Sequence, residues 1–295
     1  MDNKDVMITF ENLEEYDNNA KQRKIAYNQI SDTYIDTVSS HNSLIRGKEI
    51  KLSWEELRDN IQAGNFSDIY IGDYKEITLT TGEEVVMEVA GIDLYWFPYR
   101  DNSATIDLIN HHVDFISRDC LSGFRRMNAT KTNNGTASVQ NPWVASELYD
   151  TMNNENAGIY ATLPSDLKSC IINKYTMAGC RYSAGGAIST DSSEAWTYLG
   201  KLWLPTEVEL FGYTIYSTPR YGRGQGNRYP IYKLGENIRM AKGNGKNGLT
   251  IRWWTMSTVD GSTTNFCYVG GYGGIGQAIP TDTNKYGTPL CFRIG

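Results

Sequence analysis

From Lys201 onward the chain is punctuated by short apolar or alternating runs set between loops dense in Gly, Asn, Thr and Tyr, and this constrains its fold most. Trp253–Ser257, Phe266–Gly270, Ile275–Ala278 and Leu290–Ile294 read as strands, since runs of four or five residues bounded by Gly, Asp, Thr or Pro suit a strand and fall short of a helix. A short helix is predicted at Thr206–Phe211. Its neighbour Trp203-Leu204-Pro205, the Arg252–Ser257 run and the closing Cys291-Phe292-Arg293 are spaced as one loop-rich module. Such a module buries a sheet and spends much of its length on surface loops.

The earlier part mixes helix and strand signals irregularly. Residues 8–40 read as helical: Leu13, Ala20 and Tyr27 recur every seventh position, as do Tyr16, Arg23 and Ile30. Ser53 followed by Glu56 has the capping-box spacing and opens a helix to about Ala63. Residues 69–79 and 85–92 alternate around Thr81-Gly82-Glu83 and predict a β-hairpin. His111–Ile116 reads as a strand, and Asn141–Leu148 and Glu155–Lys174 read as helices, with Leu163-Pro164 opening or breaking a turn. This order predicts an α+β fold rather than a doubly wound sheet.

The chain pairs 20 Tyr with 28 Gly, a combination that suits binding surfaces, although β-rich cores also use Tyr heavily. Its net charge of −6 conceals an asymmetry: from Lys201 there are 11 Lys+Arg against 5 Asp+Glu, and the preceding part carries 17 against 29. A basic C-terminal part favours an anionic partner, and the acidic front part argues against general nucleic-acid affinity. Cys120, Cys170, Cys180, Cys267 and Cys291 show no zinc spacing and are expected as buried free thiols. The sequence at Met1-Asp2-Asn3-Lys4 lacks the basic start and apolar core of a secretory signal, and no apolar run is long enough to predict a membrane span.

Several segments together resemble known families. Leu204-Pro205-Thr206-Glu207-Val208-Glu209 is similar to the LPTEAEWE segment of formylglycine-generating-enzyme-type domains, and Phe292-Arg293 to the GFR close shared with C-type-lectin-like variable proteins of diversity-generating retroelements. Closer still is a family from gut-bacterial phages and their hosts. Gly72-Asp73-Tyr74 through Glu83, His111 to Asp119, Trp203 to Gly212, Trp253-Trp254 and Ser257 match its motifs in order, so the likeness runs from about Ser53 to Gly295. Glu11-Asn12-Leu13 with Tyr16-Asp17 resembles an opening common in phage fibre and virion proteins. The resemblance implies a C-type-lectin-like domain over 47–295, with a basic, loop-rich part at 200–295, displayed on a virion behind an attachment or oligomerisation segment at 1–46.

Neighbouring strand residues face opposite sides, so His111 and His112 cannot share a metal without a bulge; core packing or a structural hydrogen bond is the expectation. Formylglycine-generating enzymes work through a cysteine-based copper site, but Cys267 and Cys291 sit within strand-like patterns that match no such motif. Gly271–Gly276 fits GxGxxG only formally, because strand signals follow it where a dinucleotide site needs a helix. Glu207 is expected at a structural helix start rather than as one of an acid/base pair with Glu209. The strongest positive signal is Thr218–Arg252, with Arg220, Arg223, Arg228, Lys233, Arg239, Lys242, Lys246 and Arg252 against Glu236 alone and Tyr221, Tyr229 and Tyr232 interleaved. It can contact a ligand, contact another protein or stay solvated; Arg beside aromatic residues suits an anionic glycan or phosphate. Of Trp253 and Trp254, alternation puts one in the core and lets the other, Trp254, reach the ligand side with Tyr268 and Tyr272; for the pair the core reading is the stronger.

These readings combine into one expectation. The chain is a non-enzymatic phage virion protein, on a fibre or on the tail or head surface, made in the host cytoplasm. It is expected to form a homo-oligomer, a trimer by preference, and to meet other virion proteins through residues 1–46. Its ligand is a host-surface glycan or protein, bound through Arg220, Tyr221, Arg223, Arg228, Tyr229, Trp254, Tyr268 and Tyr272. No cofactor is expected; calcium stays open, since many C-type lectins use it, but no matching carboxylate-rich motif stands here. The alternative is a structural protein that decorates the capsid or connects virion parts through the same loops.

Overall fold

A computed structural model of the protein describes residues 41–94, 111–182, 193–217, 228–233 and 239–295. The predicted helix over 8–40, and with it most of the expected attachment segment, lies outside these residues, as do Arg220, Tyr221 and Arg223. Among the described residues the chain is α+β, a large sheet with a few short helices.

The sheet takes its strands from both halves of the chain. β1 (Tyr74–Thr78), β2 (Glu84–Ile92) and β3 (Val113–Leu121) form an antiparallel run. β11 (Tyr286–Ile294) then returns to pair with β3, and the order continues through β8 (Thr250–Thr258), β9 (Phe266–Val269) and β10 (Ile275–Ala278). β4 (Ile171–Ile172) and β7 (Lys242–Gly243) attach to β11 and β8. β8 and β11 run parallel; the other named pairs are antiparallel. β11 is buried along its whole length, as expected of a strand with neighbours on both edges and cover on both faces. Its Pro289 cannot donate to the ladder and sits where the register with β3 shifts, between Pro289 and Cys291. Leu290 N there donates to Ser117 Oγ at 2.9 Å.

The first helix, α1 (Trp54–Gln62), begins as predicted: Ser53 Oγ accepts from Glu56 N and the Glu56 carboxylate accepts from Ser53 N. It buries Trp54, Leu57 and Ile61. Trp54 meets Phe115 of β3 and Phe292 of β11 edge-on, at 5.5 and 5.8 Å between ring centroids. The Gly72-Asp73-Tyr74 motif has a structural reason. Gly72 takes a positive φ of 78°, and the buried Asp73 carboxylate accepts from Tyr70 N, Lys48 N and the Arg46 guanidinium at 2.6–3.1 Å. That carboxylate ties residues 41–50 to the body, and parallel bridges Ile45↔Ile71 and Glu49↔Tyr74 reinforce it. A boundary at 46/47 therefore falls inside packed chain.

Three local expectations change. The helix expected at Asn141–Leu148 is instead α2 (Glu147–Asn153), capped by Ser146 Oγ. Glu155–Lys174 is no single helix: a 3-10 turn at Tyr160–Thr162, the one-turn α3 (Ser165–Lys168) after Pro164, and β4 divide it. Proline at 164 starts a helix well and cannot continue one, which explains the break. A separate hairpin, β5 (Tyr175–Cys180) with β6 (Ser193–Tyr198), was not anticipated. The helix α4 (Glu207–Phe211) carries a full capping box between Thr206 and Glu209 and ends at Gly212, φ 85°.

Candidate functional site

Three of the residues expected to contact a ligand, Trp254, Tyr268 and Tyr272, lie at one place, the N-terminal half of β8 with β9, β10 and the start of β11. Cross-strand registers put Trp254 opposite Tyr268, Tyr268 opposite Gly276, and Arg252 beside Tyr286. Trp254 is the floor: it is fully buried, stacks on Tyr286 at 4.1 Å between centroids, and donates from Nε1 to Arg125 O at 2.8 Å. Tyr268 meets Tyr286 edge-on at 5.0 Å, and the exposed Arg252 guanidinium stands 5.5 Å from the Tyr268 ring centre. Burial pushes the Tyr286 phenol up, with a hydrogen bond from Arg252 pulling the other way.

Glycine shapes this ledge at two positions. A Cβ on Gly276 would lie 2.5 Å from Tyr268 Cζ, so only glycine lets that ring lie across β10. At the β9–β10 turn, Gly273 takes φ 83° and Gly270 N donates to Gly274 O at 2.6 Å, which closes a tight hairpin. Tyr272 projects from its tip at 94% exposure. The Gly271–Gly276 run is thus a turn between strands. Leu249, 89% exposed, stands at the turn before β8, and the two turns touch: a Cβ on Gly271 would be 3.4 Å from Thr250 O. Aromatic faces, a cation and two projecting apolar side chains thus share one end of the sheet.

Other expected ligand residues lie elsewhere. Tyr229 is a correction: it is fully buried, and its hydroxyl donates to Asp114 Oδ2 at 2.9 Å and accepts from Lys174 Nζ at 2.8 Å. It belongs to a buried chain of charges in which Arg293 forks onto Asp114 at 2.7 and 2.9 Å and Lys174 pairs with Glu209. Burial alone would raise the Asp114 pKa; the charge and hydrogen bond of Arg293, with Lys174 and His112, hold it at about 2. Trp254 is corrected in part, since it supports the ledge from below and presents no exposed face. Both tryptophans are buried, because both faces of β8 are covered there; Trp253 Nε1 donates to Met240 O at 2.8 Å. Arg228 donates to Leu210 O at 2.7 Å beside α4. Ser217, which Glu207 holds, bridges Val259 beyond the far end of β8. Arg252 and Val259 are seven positions apart, about 23 Å along a strand.

The two histidines and Glu207 are held in structural bonds, and the cysteines are buried. His111 Nδ1 meets Asp93 Oδ2 at 2.7 Å, and His112 N donates to Asp93 Oδ1 while its Nε2 meets Leu94 O, both at 2.7 Å. All five cysteines are buried and unbridged. Burial pushes the Cys120 thiol up to about 12 and raises Cys267 and Cys291 well above their usual value. Glu207 is fully buried and accepts from Tyr216 N and Ser217 N at 2.9 and 2.8 Å, which clamps the loop after α4. Glu207 thus does more than favour the helix dipole: it fixes a loop. Among the described residues no group of three or more His, Cys, Asp or Glu is placed to hold a metal ion, and no helix is long and apolar enough to cross a membrane.

Two ledge components escaped the sequence reading. Tyr286 starts a strand that looked shorter, and Leu249 sits between Gly and Thr without any periodic neighbour. No protein-family model, no curated protein and no solved structure matches this chain.

Proposed function

We propose that this chain is a non-enzymatic phage virion protein whose C-type-lectin-like body holds a host-surface glycan on the ledge at Arg252, Tyr268, Tyr272 and Tyr286. The observation that carries the reading is the Tyr268 ring laid across Gly276, partly buried, with a cation over it and a projecting Tyr272 beside it. Sugars present a C–H face that stacks on such rings, while ring hydroxyls and guanidinium fix orientation. The placement on a virion is supported by the motif resemblance and by the opening at Glu11–Asp17. The lectin-like assignment is supported by a sheet whose last strand returns to β3, with long helix-bearing connections between. A binding role is favoured over catalysis because His111, His112 and Glu207 are engaged in structural bonds and the cysteines are buried with their thiols pushed up. Residues 1–46 would join copies of the chain, a trimer by preference, and multiply weak single contacts into avidity.

A second reading, a decorating or connecting protein, is favoured by one feature. Tyr213, Ile215 and Tyr216 are exposed at 62%, 44% and 37% on the loop that Glu207 clamps, a rigid apolar knob suited to another virion protein.

Binding of the soluble full-length chain to a glycan array and to host cells tests the first reading. Tyr268→Ala and Tyr272→Ala should each abolish retention while the fold persists by circular dichroism. Retention that survives both, yet is lost when Tyr213 and Ile215 are changed, would move the contact to the other loop and favour the second reading.

A further inference from the structure

We infer that the ledge seats an acidic sugar, a pyranose whose ring lies against Tyr268 and whose carboxylate is taken by the Arg252 guanidinium. This rests on the reading of the ledge as a saccharide-binding surface and adds the ligand's charge and the residue that selects it.

Most of the local charges are already spent. Lys246 is held by Glu76 and Glu84, Arg293 by Asp114, and Lys242 by the Ser117 and Arg118 carbonyls. Arg239 lies 3.8 Å from Glu88. Arg252 is exposed and has no carboxylate within 4.0 Å among the described residues. Asp282 is close enough to feel its charge, but that carboxylate already accepts from Asn284 N at 2.9 Å and pairs with Lys285 at 3.2 Å. Hydrogen bonding to Asn284, and then to Lys285, draws the Asp282 pKa down; Arg252 contributes least. A permanently charged fork thus stands over an aromatic ring with its natural counterion committed to another residue.

The geometry narrows the ligand further. A free anion needs no ring beneath the cation, and a neutral sugar needs no uncompensated cation beside the ring. A carboxylate borne on a pyranose uses both, because a guanidinium matches a carboxylate through two parallel hydrogen bonds while the sugar ring covers Tyr268. Tyr272 and Leu249 flank the spot from the two touching turns and are placed to contact the next residue of a chain-like glycan.

Isothermal titration of the full-length chain tests this with galacturonate, glucuronate and N-acetylneuraminate oligosaccharides, each beside its neutral methyl ester. At least one acid should bind roughly tenfold or more tighter than its ester, the size expected of a charge-assisted pair on a surface. Arg252→Gln should erase that preference, so that acid and ester bind alike; its exposed position spares the fold, which the unfolding midpoint checks. Equal binding of acid and ester, lost in Tyr272→Ala and Tyr268→Ala, would overturn the acidic-sugar inference and leave the saccharide reading standing. Failure of every saccharide to bind, or binding that neither tyrosine variant reduces, would overturn both.

Discussion

The buried charge chain under α4 yields the sharpest prediction about stability. In Asp114→Asn, Arg293 and Lys174 lose half of their negative compensation in a site closed to water, while size and shape barely change. Breaking one side of a buried pair costs about 3–5 kcal/mol, and for a chain of this size that lowers the melting temperature by roughly 10 °C. The pH dependence provides an independent readout. The folded pKa of Asp114 lies below its ordinary 3.8, at about 2, so the ionised form is favoured by folding. That gap is worth about 2 kcal/mol, fully present above pH about 4 and lost as pH falls through about 2. Urea unfolding of wild type and variant from pH 2 to 7 should show the difference between them shrinking toward the acid end. A variant within 1 kcal/mol of wild type at neutral pH, or a difference independent of pH, would refute the reasoning. An Asp114→Asn, Arg293→Met double variant should recover part of the loss, because the unpaired cation leaves with its partner.

Three further outcomes are expected. Thr206→Ala should lower stability by about 1 kcal/mol in urea unfolding, since the cap on Glu209 N is lost at the start of a buried helix. Gly276→Ala should lift the Tyr268 ring, cost no more than about 1–3 kcal/mol of stability, and weaken saccharide binding at least tenfold on titration. The five cysteines should resist a thiol reagent in the native protein at pH 8 and react together on unfolding; rapid native labelling of Cys120, whose pKa burial raises to about 12, would contradict its placement.

Local order was legible in the sequence wherever a short-range rule decided it. The Ser53–Glu56 and Thr206–Glu209 boxes, the Thr81-Gly82-Glu83 turn and the strands β8 to β11 follow from caps, turn residues and alternation, which act over a few positions. What failed depended on distant partners. Tyr229 looked like an interleaved loop aromatic because nothing near it in sequence reveals Asp114 or Lys174, residues far away along the chain. For Trp253-Trp254 the core reading is the stronger one in the sequence; alternation also allows Trp254 a ligand-side place, because it says nothing about both faces being covered. β5 and β6 went unseen, since Tyr175–Cys180 mixes Gly and Ala into a run without clear alternation. The sequence singles out Tyr268 and Tyr272, whereas Arg252 is one basic residue among eight until the sheet sets it beside Tyr286.

Cryo-electron microscopy of the intact particle, with this chain located in it, tests the central claim most directly. The account predicts that Tyr272, Leu249 and Arg252 face outward on a tail tip, fibre or head surface, with residues 1–46 directed inward. A position in which that end of the sheet is packed against neighbouring virion proteins would contradict it, and the chain would then be a connecting component.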